Sequence, residues 1–175
     1  MNLKGIKKNT ALKYLIKDQK NEKKKDIVHP KKVKHVGILA DEELFRAYDF
    51  TKKLSEDLGI QIGDIEVMLF QKNKSKKSLD QFEFFSDKSF NMFGKIKDTN
   101  LLYFLDKKFD LFVNYCDRDN VFAHIAALKS NTMIKASFEN EMVSFYQITV
   151  NIPENKINTF NEEIVKYLKI LKLIV

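Results

Sequence analysis

One cysteine, two prolines, five glycines, no tryptophan and only two arginines in 175 residues already narrow what this chain can be. A lone thiol, Cys116, makes an internal disulfide impossible and fits a reducing compartment, so a cytoplasmic location is expected. No apolar run approaches the roughly 18 residues that a membrane span needs. The opening "MNLKGIKKNTALKYLIKD" has lysines throughout and lacks the apolar centre of a secretory signal. The glycines, at 5, 37, 59, 63 and 94, form neither G-x-G-x-x-G nor a phosphate loop, which removes the common nucleotide cradles. The histidines at 29, 35 and 124 are scattered, with no second cysteine and no H-E-x-x-H, so neither a metal site nor a cofactor is expected. "NKS" at Asn73 matches a glycosylation acceptor only formally in a cytoplasmic protein. Arginine poverty weighs against base reading, because the planar fork that grips guanine edges is nearly absent.

What is abundant is lysine. The formal charge is +7, yet residues 1–35 hold twelve lysines against three acids, a net +9, which leaves −2 for the other 140 residues. The basicity therefore belongs to the N-terminal segment. Lysine, asparagine, isoleucine and phenylalanine in excess are also what AT-rich coding DNA produces, so some of that charge reflects composition rather than contact.

The hydrophobic pattern divides the chain into a basic N-terminal arm and linker, residues 1–33, and a single α/β domain, residues 34–175. In the arm, Leu12, Leu15 and Ile16 are spaced for a short helix, and the linker that follows is broken at Pro30. In the domain, "HVGILA", "IEVMLFQ", "FDLFVNYC" and "MIKASF" are near-continuous apolar runs of strand length, as parallel strands covered on both faces require. "DEELFRAYDFTKKLSEDLG" reads as one helix with Asp41 as N-cap and Gly59 as its terminator. "FEFFS" reads as a shorter strand, "TNLLYFLDKK" as a short helix, and residues 120–129 as the helix after the third strand. The link "ENEMVS" is too short for a parallel crossover, so "FYQITVN" is expected to return antiparallel at an edge. Pro153 is expected to open a last helix with apolar residues at Ile157, Phe160, Ile164, Tyr167 or Leu168, Leu171 and Ile174. The fold class is thus a three-layer, Rossmann-like α/β domain with a mostly parallel sheet, an antiparallel edge strand and a basic helical arm in front.

The stretch "FDLFVNYCDRDNVFAHIAALKS" raises the possibility of a Cys116/His124 centre with Asp117 and Asp119 between them. On a helical wheel His124 sits at the margin of the buried face, with no reason to point back at the strand end. The plainer reading is an inner strand, a "DRDN" turn and a covering helix, with Cys116 as packing. What remains functional is position: ligands of open parallel sheets sit beyond the carboxyl ends of the strands. That places Asp41, Gln71, Asn114, Asp117, Arg118 and Asn120 at the candidate edge, where Asp41, Asp117 and Asn120 could equally serve as helix caps.

At "NMFGKI", "FDLFVNY" and "HIAALKSNTMIKAS" the sequence resembles a family of small bacterial proteins classed as a domain of unknown function, which implies a small α/β protein with no catalytic residues to carry over. The strand–helix–strand segment is similar, at fold level, to the acceptor half of heptosyltransferase-like glycosyltransferases. It departs from them: "GILADEELFRA" lacks their Gly-Asp turn, Ala136 stands where a glycine is usual, and the donor half is missing.

Two functions are therefore expected to compete. In one, the domain is a non-catalytic binding module whose arm contacts an anionic partner, RNA or a ribosome-like surface, or an acidic membrane, through Lys7, Lys8, Lys13, Lys17, Lys23, Lys24, Lys25, Lys31 and Lys32. In the other, Asp41, Asn114, Asp117, Arg118 and Asn120 bind a sugar- or nucleotide-like substrate for an enzyme reaction at the strand ends.

Overall fold

The fold is that of a computed structural model describing residues 3–22, 32–48, 50–72 and 81–174. The four apolar runs form β1 (Val36–Asp41), β2 (Ile65–Phe70), β4 (Phe109–Asn114) and β5 (Thr132–Phe138), joined by short β3 (Glu83–Phe85) and β6 (Ile148–Val150). The sheet runs β3-β2-β1-β4-β5-β6 and every pairing in it is parallel. Its order reverses between β1 and β4, the doubly wound arrangement. β1 lies at the centre, and Gly37 is needed there: a Cβ at that position would stand 2.7 Å from ring carbons of Phe109 and Phe112.

On one face lie α3 (Phe50–Leu58) and α6 (Ile157–Ile170), over an aliphatic core that includes Ile38, Leu69, Leu111, Val113 and Ile134. In α6, Ile157, Phe160, Ile164 and Leu168 are buried at spacings of 3, 4 and 4, and Tyr167 and Leu171 face outward. The opposite face carries α1 (Leu3–Glu22), α4 (Thr99–Asp106) and α5 (Val121–Lys129) over a core rich in phenylalanine, among them Phe70, Phe85, Phe90, Phe104, Phe112 and Phe122.

Three expectations need correction. The helix expected from Asp41 to Gly59 is two, α2 (Glu42–Ala47) and α3, because Tyr48 is extended at φ −149°, ψ 124°. The last helix opens at Ile157, not at Pro153. The edge strand is parallel, not antiparallel: β6 pairs only with Ala136–Phe138 at the end of β5. The chain therefore has to return by about two residues, some 7 Å, and residues 139–147 suffice without a helix. That crossover lays Val143 and Phe145 into the phenylalanine-rich core, and Lys135 and Gln147 fix its end with bonds of 3.0 and 2.8 Å.

Residues 3–22 form one 20-residue helix, longer than the short one expected, and it packs on the domain. Ala11 and Leu15 are fully buried in the phenylalanine-rich core. Along the same stripe, the Lys7 ammonium donates to the carbonyls of Asp87 and Phe90, and Gln19 bonds the Met142 carbonyl at 3.0 Å and the Ser144 N–H at 3.1 Å. Gly94, with φ +81°, turns the chain directly beneath the helix, and a Cβ there would stand 3.0 Å from the Ala11 Cα. α1 lies against α5 and closes the phenylalanine-rich face.

Candidate ligand site at the switch point

The C-terminal ends of β1, β2 and β4 open onto a cleft of about 820 Å³ on the α2 and α6 side. It sits where strand order reverses, the position at which loops on either side of an open sheet diverge and leave room for a ligand. Asp41, Glu42, Glu43, Asp117 and Glu154 line it against two cations, Arg46 and Lys72, with Leu44, Phe70 and Tyr115 as apolar wall. Three consecutive acids thus occupy the β1–α2 turn, where a doubly wound dinucleotide fold would present glycines to a pyrophosphate. The cleft repels phosphate at that turn and offers acceptors to hydroxyl or ammonium donors.

Most of these acids are already engaged. Glu42 is buried and takes Arg46 at 2.6 Å on one oxygen and Gln71 at 2.9 Å on the other. Glu154 takes the Arg118 Nε at 2.6 Å, and that arginine lowers the Glu154 pKa against the opposing effect of burial. Asp41 differs. It makes no cap bond to α2; its Oδ2 accepts the Asp117 N–H at 2.9 Å, and its buried Oδ1 has no hydrogen-bond partner. Burial raises its pKa, and the Asp117 N–H and Lys72 oppose the rise.

The other sequence-predicted residues divide. Asp117 lines the cleft, and its Oδ1 accepts the Asp119 N–H at 2.8 Å. Arg118 is a clamp: it holds Glu154 and, at 2.7 Å, the Ile152 carbonyl, fixing the chain ahead of α6. Asn114 is fully buried away from the cleft, donating to Tyr146 Oη at 2.9 Å and accepting the Cys116 N–H at 3.1 Å. Asn120 is the N-cap of α5, with its Oδ1 on the Ala123 N–H at 3.1 Å. Glu42, Arg46, Lys72, Tyr115 and Glu154 escaped the sequence reading. The strand-end rule could have found Lys72, two residues past β2, and Tyr115, one past β4, whereas nothing in the sequence links Glu154 to Arg118, 36 positions away.

Cys116 is fully buried, and burial pushes its thiol far above the ordinary range, so it is no thiolate nucleophile. His124 is spoken for on both nitrogens. Its Nε2 donates to the Arg118 carbonyl at 2.7 Å, so in the neutral ring Nδ1 accepts from Tyr146 Oη at 2.9 Å. Burial holds its pKa below the usual value. Neither partner is Cys116.

The lysines also separate. Lys7 turns inward, Lys8 lines a pocket with Lys4, and Lys13 and Lys17 on α1 and Lys32 beyond it are exposed. Lys23, Lys24, Lys25 and Lys31 lie outside the described residues, as do His29, Pro30 and Asn73. Among the described residues no group of three His, Cys, Asp or Glu side chains is placed to hold a metal ion, and no helix is long and apolar enough to cross a membrane.

No curated protein and no solved structure matches the chain. A family model does, over residues 7–171, a span that takes in most of α1 along with the sheet. The chain belongs to DUF6913, a family of unknown function.

Proposed function

We propose that the protein binds a small hydroxylated molecule, sugar-like rather than dinucleotide-like, in the acidic cleft at the switch point. The observation that carries this reading is the Asp41 carboxylate: a half-buried acid at the end of the central strand, with one oxygen left unpartnered beside a cleft large enough for a monosaccharide or nucleoside. An unpaired buried acceptor costs free energy that a ligand hydroxyl would recover. The test is a screen of neutral and aminated sugars and polyols by amide chemical-shift mapping on the full chain. A binder should shift residues 41–47, 115–117 and 154–155 saturably, and Asp41→Asn, which keeps an acceptor for the Asp117 N–H, should weaken it at least tenfold. A panel that moves none of those amides would retire the reading.

A second reading rests on α1. Lys4, Lys8, Lys13, Lys17 and Lys20 are all exposed along a helix whose other side is packed on the domain, which supports contact with an anionic partner, RNA or a ribosome-like surface. The acidic-membrane variant has less support, because Leu15 is turned into the core with Leu12 packed beside it, and the exposed Leu3, Ile6 and Ile16 form no single stripe.

A further inference from the structure

Across the β1–β4 edge from the acidic cleft, and sharing Phe70, Lys72 and Asp117 with it, lies a second pocket of about 280 Å³ on the α1 and α5 side. We infer that this pocket is an oxyanion subsite at the N-terminus of α5, so that the ligand of the switch-point cleft is a phosphorylated polyol, its hydroxyls toward Asp41 and its phosphate toward Asn120. The ligand class rests on the reading of the acidic cleft given above; the subsite itself does not.

Three observations converge on it. α5 is nine residues long and presents the positive end of its dipole to the pocket. Asn120, only 8% exposed, lines the pocket, and its planar amide is half used: Oδ1 caps the Ala123 N–H, while Nδ2 is buried without a partner. An orphaned donor beside a helix N-terminus calls for an acceptor, as the orphaned Asp41 acceptor calls for a donor. The third is the crowding of ammonium groups there: Lys4 and Lys8 reach in from α1 and Lys72 from the end of β2.

Asp87, Asp117 and Asp119 face the same pocket and balance Lys4, Lys8 and Lys72 one for one. Selectivity therefore falls on directional donors rather than on net charge, which suits a compact dianion such as a phosphate monoester and not an extended polyanion. The sharing of Lys72 and Asp117, 4.0 Å apart, makes the two pockets one bipolar groove, acceptor-rich on one side of the sheet edge and donor-rich on the other.

The experiment titrates inorganic phosphate into the labelled full chain at constant ionic strength, with chloride as control, and then compares a hexose with its 6-phosphate. Expected are saturable shifts of the Asn120 side-chain NH₂ and of the first turn of α5. Serine and aspartate cap helices as well as asparagine does, so Asn120→Ser and Asn120→Asp should keep the thermal midpoint. Asn120→Ser should weaken phosphate about tenfold, the loss of one hydrogen bond to a charged group, and Asn120→Asp should weaken it further, while Lys17→Gln, outside the pocket, should not. Unsaturable shifts scattered over the surface lysines, or equal affinity in all variants, would overturn the subsite. Phosphate binding at Asn120 with no sugar response at Asp41 would uphold the subsite and sink the cleft reading. A hexose that binds at Asp41 no more weakly than its 6-phosphate would overturn the phosphorylated ligand and leave the cleft.

Discussion

The two faces of the sheet are built by different means. Under α3 and α6 the core is mostly aliphatic, and its principal cover is one strongly amphipathic helix whose four buried apolar side chains recur with helical regularity. Under α1, α4 and α5 the core is rich in phenylalanine, and its cover is assembled from distant pieces: the first helix, the turn at Gly94 and the crossover 139–147. A face roofed by one continuous helix depends on local sequence. A face roofed by pieces from both ends of the chain depends on closing long loops before any contact is made. The same division runs to the functional edge, where the acidic cleft belongs to the first face and the lysine pocket to the second.

The harshest way to break the comparison is to remove α1. Deleting residues 1–22 uncovers the α5 surface and the rings beneath Ala11 and Leu15, and the protein should lose its cooperative unfolding transition in denaturant. A shorter lesion, Leu15→Ala, should cost about 2–5 kcal/mol, read as a fall in the denaturation midpoint. A truncated chain that unfolds as cooperatively as the whole would mean that α1 is a detachable arm after all.

On the other face, Tyr115→Phe is the next largest expected effect. The fully buried Tyr115 hydroxyl donates to Asn161 Oδ1 at 2.7 Å, while Asn161 Nδ2 has no partner. Removing the hydroxyl leaves that amide wholly unsatisfied in a low-dielectric core, at about 1–3 kcal/mol. The double variant Tyr115→Phe/Asn161→Leu should recover most of the loss in the same denaturation assay, because an apolar pair leaves no stranded polar group. Failure to recover would mean that the pair holds the β4 end in a geometry packing alone cannot supply.

Acid should separate the faces again. His124 belongs to the aromatic side, fixing the Arg118 carbonyl and Tyr146, and its folded pKa lies below the unfolded value of 6.5. The unfolded chain therefore binds the proton first as pH falls. The stabilisation is fully present above about pH 6.5 and is lost between there and the folded value. The Arg118 carbonyl, and after it Asp119 and Asp117, raise its pKa and soften the effect without reversing it. Thermal midpoints should drop from pH 7 to pH 5.5 in the native protein, with a smaller drop in His124→Gln.

This contrast also explains what could be read in the sequence. The four inner strands were visible because two-sided burial leaves almost no polar interruption, and α6 because its period is clean. The packing of α1 was hidden: the stripe Lys7–Ala11–Leu15–Gln19 holds only two apolar residues, and its polar members are satisfied by backbone groups more than 75 positions away. The direction of β6 was misread because a short link excludes a parallel return only when the strands overlap over their full length. At the site, Asp41, Asp117 and Asn120 were visible as strand-end or cap residues, but which of their atoms lack partners is a property of packing. Glu154 and Arg46 became neighbours of the cleft only through the fold.

The smallest effect on stability is expected where the charge is greatest. Lys13, Lys17 and Lys20 point into solvent from α1, so changing all three to glutamine should leave the unfolding midpoint within about 0.5 kcal/mol of the parent, as substitutions away from buried features do. If the lysine face meets RNA, the triple variant should lose retention on a polyanionic column and on bulk RNA, and the salt dependence of binding should flatten by about the number of phosphate contacts removed. The competing account is that AT-rich coding has filled a tolerant outer face with lysine. It predicts loss of retention only in proportion to net charge, matched by a control that removes three exposed lysines elsewhere, Lys95, Lys166 and Lys169. Equal losses would leave α1 with a structural role alone, and its lysines with none beyond lining the pocket at α5.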